Sequence, residues 1–160
     1  MNYKCQKFAL YVDFSIVCSC LSSISLLAGL FTDLNQVTDI IIKIIFPLSF
    51  WVGLGFEEFF IWKADSLRKE IEYYEDYRKI RGKPGVLSIS KTKSGAIADL
   101  LLLASLLFFV LFIFTGFGEK VIQNILIFLL VLSFRLHCIL NGKNFRYKKY
   151  LEKRKVDRSV

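Results

Sequence analysis

Histidine and proline are nearly absent from this chain, which holds one of the former and two of the latter in 160 residues. A lone histidine excludes a multi-histidine metal centre, and no ligand spacing supports a mixed His/Cys/carboxylate site, so neither a metal nor another cofactor is expected. So little proline, with nine glycines, leaves no Pro-rich or Gly-rich linker to divide domains. Catalytic signatures are missing too: G-x-S-x-G, H-E-x-x-H, a Walker loop and a Rossmann fingerprint do not occur, and "GKPG" (Gly82 to Gly85) lacks the P-loop spacing. An enzyme is therefore the less favoured class. Cys5, Cys18, Cys20 and Cys138 form no C-x-x-C, and in a helix Cys18 and Cys20 point about 200° apart, so all four read as packing residues.

What is present is apolar. The chain is 54% hydrophobic and 16% aromatic, with a mean hydropathy of +0.48, more than a soluble domain of this length can bury. Four segments, roughly residues 10–31, 39–62, 96–117 and 121–140, are long enough to cross about 30 Å of hydrocarbon as helices. They leave no room for a separate soluble domain, so residues 1–160 read as one transmembrane unit. The first run is read as an uncleaved helix, because Asp13 interrupts it and no small-x-small site ends it.

Charge sets the expected orientation. Lys4 and Lys7 precede the first span, whereas the link after it carries Asp33 and Asp39 and no base. Lysines and arginines crowd residues 63–95 and the tail at 141–160, and the third link offers only Lys120 beside Glu119. The positive-inside rule then predicts an all-α, multi-pass protein of the cell membrane, its spans paired as two hairpins, with both termini and the 63–95 loop cytoplasmic. The net charge of +8 is read as this topological signal, and as an affinity for anionic headgroups, in the absence of any nucleic-acid-binding motif.

Within the loop, "DSLRKEIEYYEDYRKIRG" puts Leu67, Ile71, Tyr74 and Tyr77 or Arg78 on one side. This predicts a cytoplasmic amphipathic helix that lies on the membrane or docks on the bundle, laced by the i,i+4 pairs Asp65/Lys69, Arg68/Glu72 and Glu75/Lys79. "GKPG" is expected to end it, "VLSIS" to be extended, and Ser94 to cap the third span. Pro47 is expected to bend the second span, whose Gly53 to Gly55 admit a close neighbour. Asn141-Gly142 is expected to end the fourth span through a left-handed residue.

Ionisable groups inside spans raise a functional hypothesis by default. Asp13 lies six residues from Lys7, Asp99 six from Lys93, Glu58 five from Lys63 and Arg135 eight from Lys143. At about 1.5 Å per residue, each helix carries such a group about 8 to 12 Å inside its basic flank. The expectation is a polar layer of Asp13, Glu57, Glu58, Asp99, Arg135 and His137, with Asp13 and Asp99 as the natural partners of Arg135. Asn124 shares a helix face with Arg135, and Cys20 with Asp13. Such a chain fits a non-catalytic scaffold, accessory or regulatory membrane component, self-associating or joined to a larger partner. The alternative is a small oligomeric proton- or cation-coupled transporter or channel that uses the layer.

Overall fold

A computed structural model describes residues 3–31, 40–71, 74–81, 92–115 and 119–157, and all of their regular structure is α-helical. The helices are α1 (Tyr3–Phe31), α2 (Ile40–Glu70), α3 (Tyr74–Arg81), α4 (Lys93–Thr115), α5 (Lys120–Leu140) and α6 (Lys143–Asp157). Four of them, α1, α2, α4 and α5, are long and apolar enough to cross a membrane. Large side chains such as Trp51, Leu103, Phe108 and Phe114 stand exposed along them, a surface that suits a bilayer better than water.

Packing follows from which residues are small. α1 lies along α2 and against α5, whereas α4 touches α5 alone among the described elements. The buried residues of α4 are Gly95, Ala98 and Ser105, and small side chains let a helix pack closely where large ones face lipid. Gly53 does the same for α1 and α2: a Cβ there would fall 2.6 Å from Ser22 Cβ. Nothing approaches Gly55 within 4 Å, so only the first glycine of the pair is a contact.

The hydrophobic core lies at one end of this bundle. At 29 and 31 residues, α1 and α2 are about 43 and 46 Å long, well beyond the hydrocarbon thickness. Their overhanging ends meet α3 and α6 in a cluster that includes Phe8, Val12, Ala64, Ile71, Tyr77 and Tyr147. Tyr147 is fully buried, its ring centroid 5.4 Å from Phe8, 5.6 Å from Tyr74 and 5.1 Å from Tyr77. The basic tail is therefore a docked helix with an aromatic face, not a loose chain.

Several local expectations change. Helix α2 runs through Pro47 and past Trp62 to Glu70, and the chain then turns at Ile71, where Tyr74 N–H donates to its carbonyl at 3.0 Å. Ile71 and Tyr77 are buried on the face that the periodicity marks, while Arg78 is exposed. Two ion pairs of this region form at i,i+3, Arg68–Asp65 at 2.9 Å and Arg78–Glu75 at 3.8 Å, and Arg68 also donates to Asn144 Oδ1 at 2.6 Å, whereas Glu72, the expected partner of Arg68, lies outside the described residues. Thr92, not Ser94, caps α4: its hydroxyl accepts from Gly95 N–H at 3.1 Å, the N-cap to N3 bond. Asn141 ends α5 in a right-handed conformation (φ −93°, ψ −5°), so no left-handed residue closes that helix. Gly142 is needed for space instead, since a Cβ would lie 2.9 Å from the carbonyl oxygens of Cys138 and Ile139. "GKPG" and "VLSIS" lie outside the described residues.

Candidate functional site

Seven-residue periodicity builds the site on α1. Cys5, Phe8, Val12, Ser15, Ser19 and Ser22 recur three and four apart and are all buried, so one face of α1 is apolar at its start and hydroxyl-lined further on. Ser15, Ser22 and Ser23 each donate to a carbonyl one turn back, on Val12 (2.7 Å), Cys18 (2.8 Å) and Ser19 (2.8 Å). That leaves their oxygens free to accept.

Arg135 of α5 uses two of them. One guanidinium nitrogen donates to Ser22 Oγ at 2.6 Å and Ser23 Oγ at 3.2 Å. The other forms a hydrogen-bonded ion pair with the Glu57 carboxylate of α2. Arg135 is 8% exposed and Glu57 6%, so each neutralises a charge that its surroundings do not solvate. Gly53 stands one turn before Glu57, and its close approach to Ser22 brings the hydroxyls and the carboxylate to the same guanidinium. At the far end of α1, Asn124 Nδ2 donates to the Leu30 carbonyl at 2.7 Å, so Asn124 and Arg135 both turn toward α1.

The remaining expected residues fall elsewhere. Asp99 meets His137 and Asn141: its Oδ1 lies 2.6 Å from His137 Nδ1 and accepts from Asn141 Nδ2 at 2.6 Å. Asp13 pairs with Lys148 of α6 at the rim. Glu58 is exposed and forms no ion pair among the described residues. Arg135 is thus brought to Glu57 and not to Asp13 or Asp99. Asp13 sits about 100° from Val12, outside the buried heptad face, and Asp99 is on a helix that reaches α5 alone among the described elements.

Nothing in the charge pattern points to Ser22, Ser23, Asn141 or Lys148. The signal that could have found the serines is the heptad of small and apolar residues in α1, read for hydroxyls rather than for charge. Cys20 is half-buried and Cys18 likewise, beside that face rather than on it.

A cavity of about 400 Å³ opens beside the ion pair, between α1, α2, α5 and the first turn of α6. Ser15, Glu57, Glu58, Asp65, Asn141 and Lys143 are among its walls. Asn144 ties α6 to its rim, accepting from Arg68 and donating to the Ile61 carbonyl at 3.3 Å. Among the described residues no group of three or more His, Cys, Asp or Glu is placed to hold a metal ion. The arrangement can hold a charge still and can receive a small polar group. No protein-family model matches the chain, and neither the curated proteins nor the solved structures contain a match.

Proposed function

We propose that the chain is a multi-pass protein of the cell membrane, its apolar helices paired as two hairpins with both termini and residues 63–95 in the cytoplasm. In this reading it is a non-catalytic scaffold, accessory or regulatory component. Its basic cytoplasmic cap meets anionic headgroups, and the bare sides of the bundle meet a second copy or a larger membrane partner. The observation that carries the non-catalytic reading is the internal closure of the charges: Arg135 with Glu57 and two serines, His137 with Asp99 and Asn141, Lys148 with Asp13. Groups so paired hold helices together and are not free to bind and release an ion. Gathering the start of α1, the end of α2, α3 and α6 at one end supports the common side for both termini. Lys69, Lys79 and Lys153, exposed on that cap, support an anionic surface as its counterpart.

A second reading, a small proton- or cation-coupled transporter, draws on Glu58, which lines the cavity without an ion-pair partner among the described residues. Reconstitution separates the two. In proteoliposomes carrying a pH-sensitive dye, the scaffold reading expects no proton or cation flux above that of empty vesicles. Reporter fusions at both ends should be cytoplasmic, and Arg135→Gln and Glu57→Gln should each lower the unfolding temperature in detergent. A flux that Glu58→Gln or Asp99→Asn abolishes, with folding retained, overturns the scaffold in favour of transport.

A further inference from the structure

The cavity beside the Arg135–Glu57 pair holds two charges that no interaction described above uses. Glu58 stands on its α2 wall and Lys143 on its α6 wall, both exposed, and neither is ion-paired with the other or with any described residue. Opposite charges that face one space without meeting are complementary to a ligand that carries both signs.

Polar groups around the cavity separate by sign. On the α2 side Asp65 joins Glu58, its own charge shared with Arg68 at 2.9 Å. On the other side Lys143 opens α6, a 15-residue helix whose first-turn N–H groups have no acceptor within it and whose start carries the positive end of the macrodipole. Val12, Ile61, Ile139 and Phe145 are the apolar surface between. Asn141 also lines the cavity; it is 8% exposed, its Nδ2 is committed to Asp99, and its Oδ1 has no hydrogen-bond partner.

We propose that this cavity binds a zwitterion with a primary ammonium and a phosphate, the headgroup of an aminophospholipid. The phosphate meets Lys143 and the opening amides of α6, and the ammonium meets Glu58 and Asp65. About 400 Å³ is within the range of small-ligand sites, enough for a headgroup and not for its acyl chains. The level is right for lipid, because the cavity lies where α2 leaves its apolar stretch at Trp62, an exposed indole of the kind that marks the interface. A primary rather than quaternary ammonium is indicated by the acceptors. Quaternary groups are held by cages of aromatic rings, and Phe145 is the one phenyl ring among the described lining residues. The proposal requires the membrane placement and not the scaffold role.

The test uses the full chain, delipidated in mild detergent, and follows native mass spectra and unfolding temperature with four probes: short-chain phosphatidylethanolamine, phosphatidylcholine and phosphatidylglycerol, and free phosphoethanolamine. Phosphatidylethanolamine should bind about tenfold or more tightly than the other two lipids, the effect of one charge-assisted hydrogen bond. Glu58→Gln and Lys143→Met should each weaken it by about tenfold while leaving the lipid-free unfolding temperature unchanged, since both side chains are exposed. Competition by phosphoethanolamine supports recognition through the headgroup. Binding of phosphoethanolamine with none of the lipid overturns the lipid as source. Equal binding of phosphatidylcholine or phosphatidylglycerol, or unchanged affinity in both variants, overturns the proposal.

Discussion

At Gly53 the backbones of α1 and α2 come so close that an added methyl would press on Ser22 Cβ at 2.6 Å. Ser22 has little freedom to yield, because its hydroxyl both donates to the Cys18 carbonyl and accepts from Arg135. Gly53→Ala should therefore destabilise the bundle by about 1 to 3 kcal/mol, the usual penalty of overpacking. Gly55→Ala meets open space, and its gain in helix propensity should leave stability unchanged or raised by up to about 1 kcal/mol. Thermal unfolding of the two variants in the same detergent checks the contrast, and equal effects would show that no close approach exists. The "GLG" of residues 53 to 55 announces a contact in the sequence, yet which glycine makes it depends on the rotation of α2 about its own axis. The same holds for Arg135. Its need for a partner follows from an obligate charge in an apolar run, but the choice of Glu57 over Asp13 and Asp99 is set by helix rotation and by which helices touch.

Helix α6 shows composition hiding a face. Its basic residues dominate the tail, and the spacing of Tyr147, Tyr150 and Leu151 reads equally well as interfacial aromatics or as one side of a docked helix. Phe8, Tyr74 and Tyr77 settle it by enclosing the Tyr147 ring. Its phenol oxygen is buried with no hydrogen-bond partner among the described residues, and burial, aided by nearby Cys5 and Tyr150, pushes the phenol's pKa well above its ordinary value. Tyr147→Ala should lose about 3 to 5 kcal/mol as an aromatic removed from a core. Tyr147→Phe, which deletes only the unpartnered hydroxyl, should be neutral or stabilising. The raised pKa means that the folded chain keeps a proton that the unfolded chain releases. The parent's stability is thus intact below about pH 10 and falls as pH climbs beyond it. In Tyr147→Phe that part of the alkaline loss should vanish, a difference read directly from unfolding temperature against pH. The existence of the long helices, by contrast, is legible from their apolar runs alone, because no other structure satisfies so long an apolar stretch.

Across the whole molecule, burial is uneven. One end has a core resembling that of a soluble protein, while the rest exposes apolar side chains suited to lipid and is joined by a few polar clasps. α4 is the extreme case, held by α5 alone among the described elements through three small buried residues. Once detergent replaces the bilayer, hydrogen exchange should therefore rise first along α4 and last where α1, α2 and α6 converge. Uniform protection across the helices, measured by mass spectrometry of peptides from the detergent-solubilised protein, would contradict this distribution. The convergence itself has a consequence for biosynthesis. Phe8 and Val12 leave the ribosome before any of the long apolar helices is complete, yet α6, which packs over them, follows all four in chain order. Until then the opening turns of α1 present an uncovered greasy face, which marks any prematurely terminated chain as a substrate for chaperones and proteases. Arrival of α6 is thus the event that conceals this face.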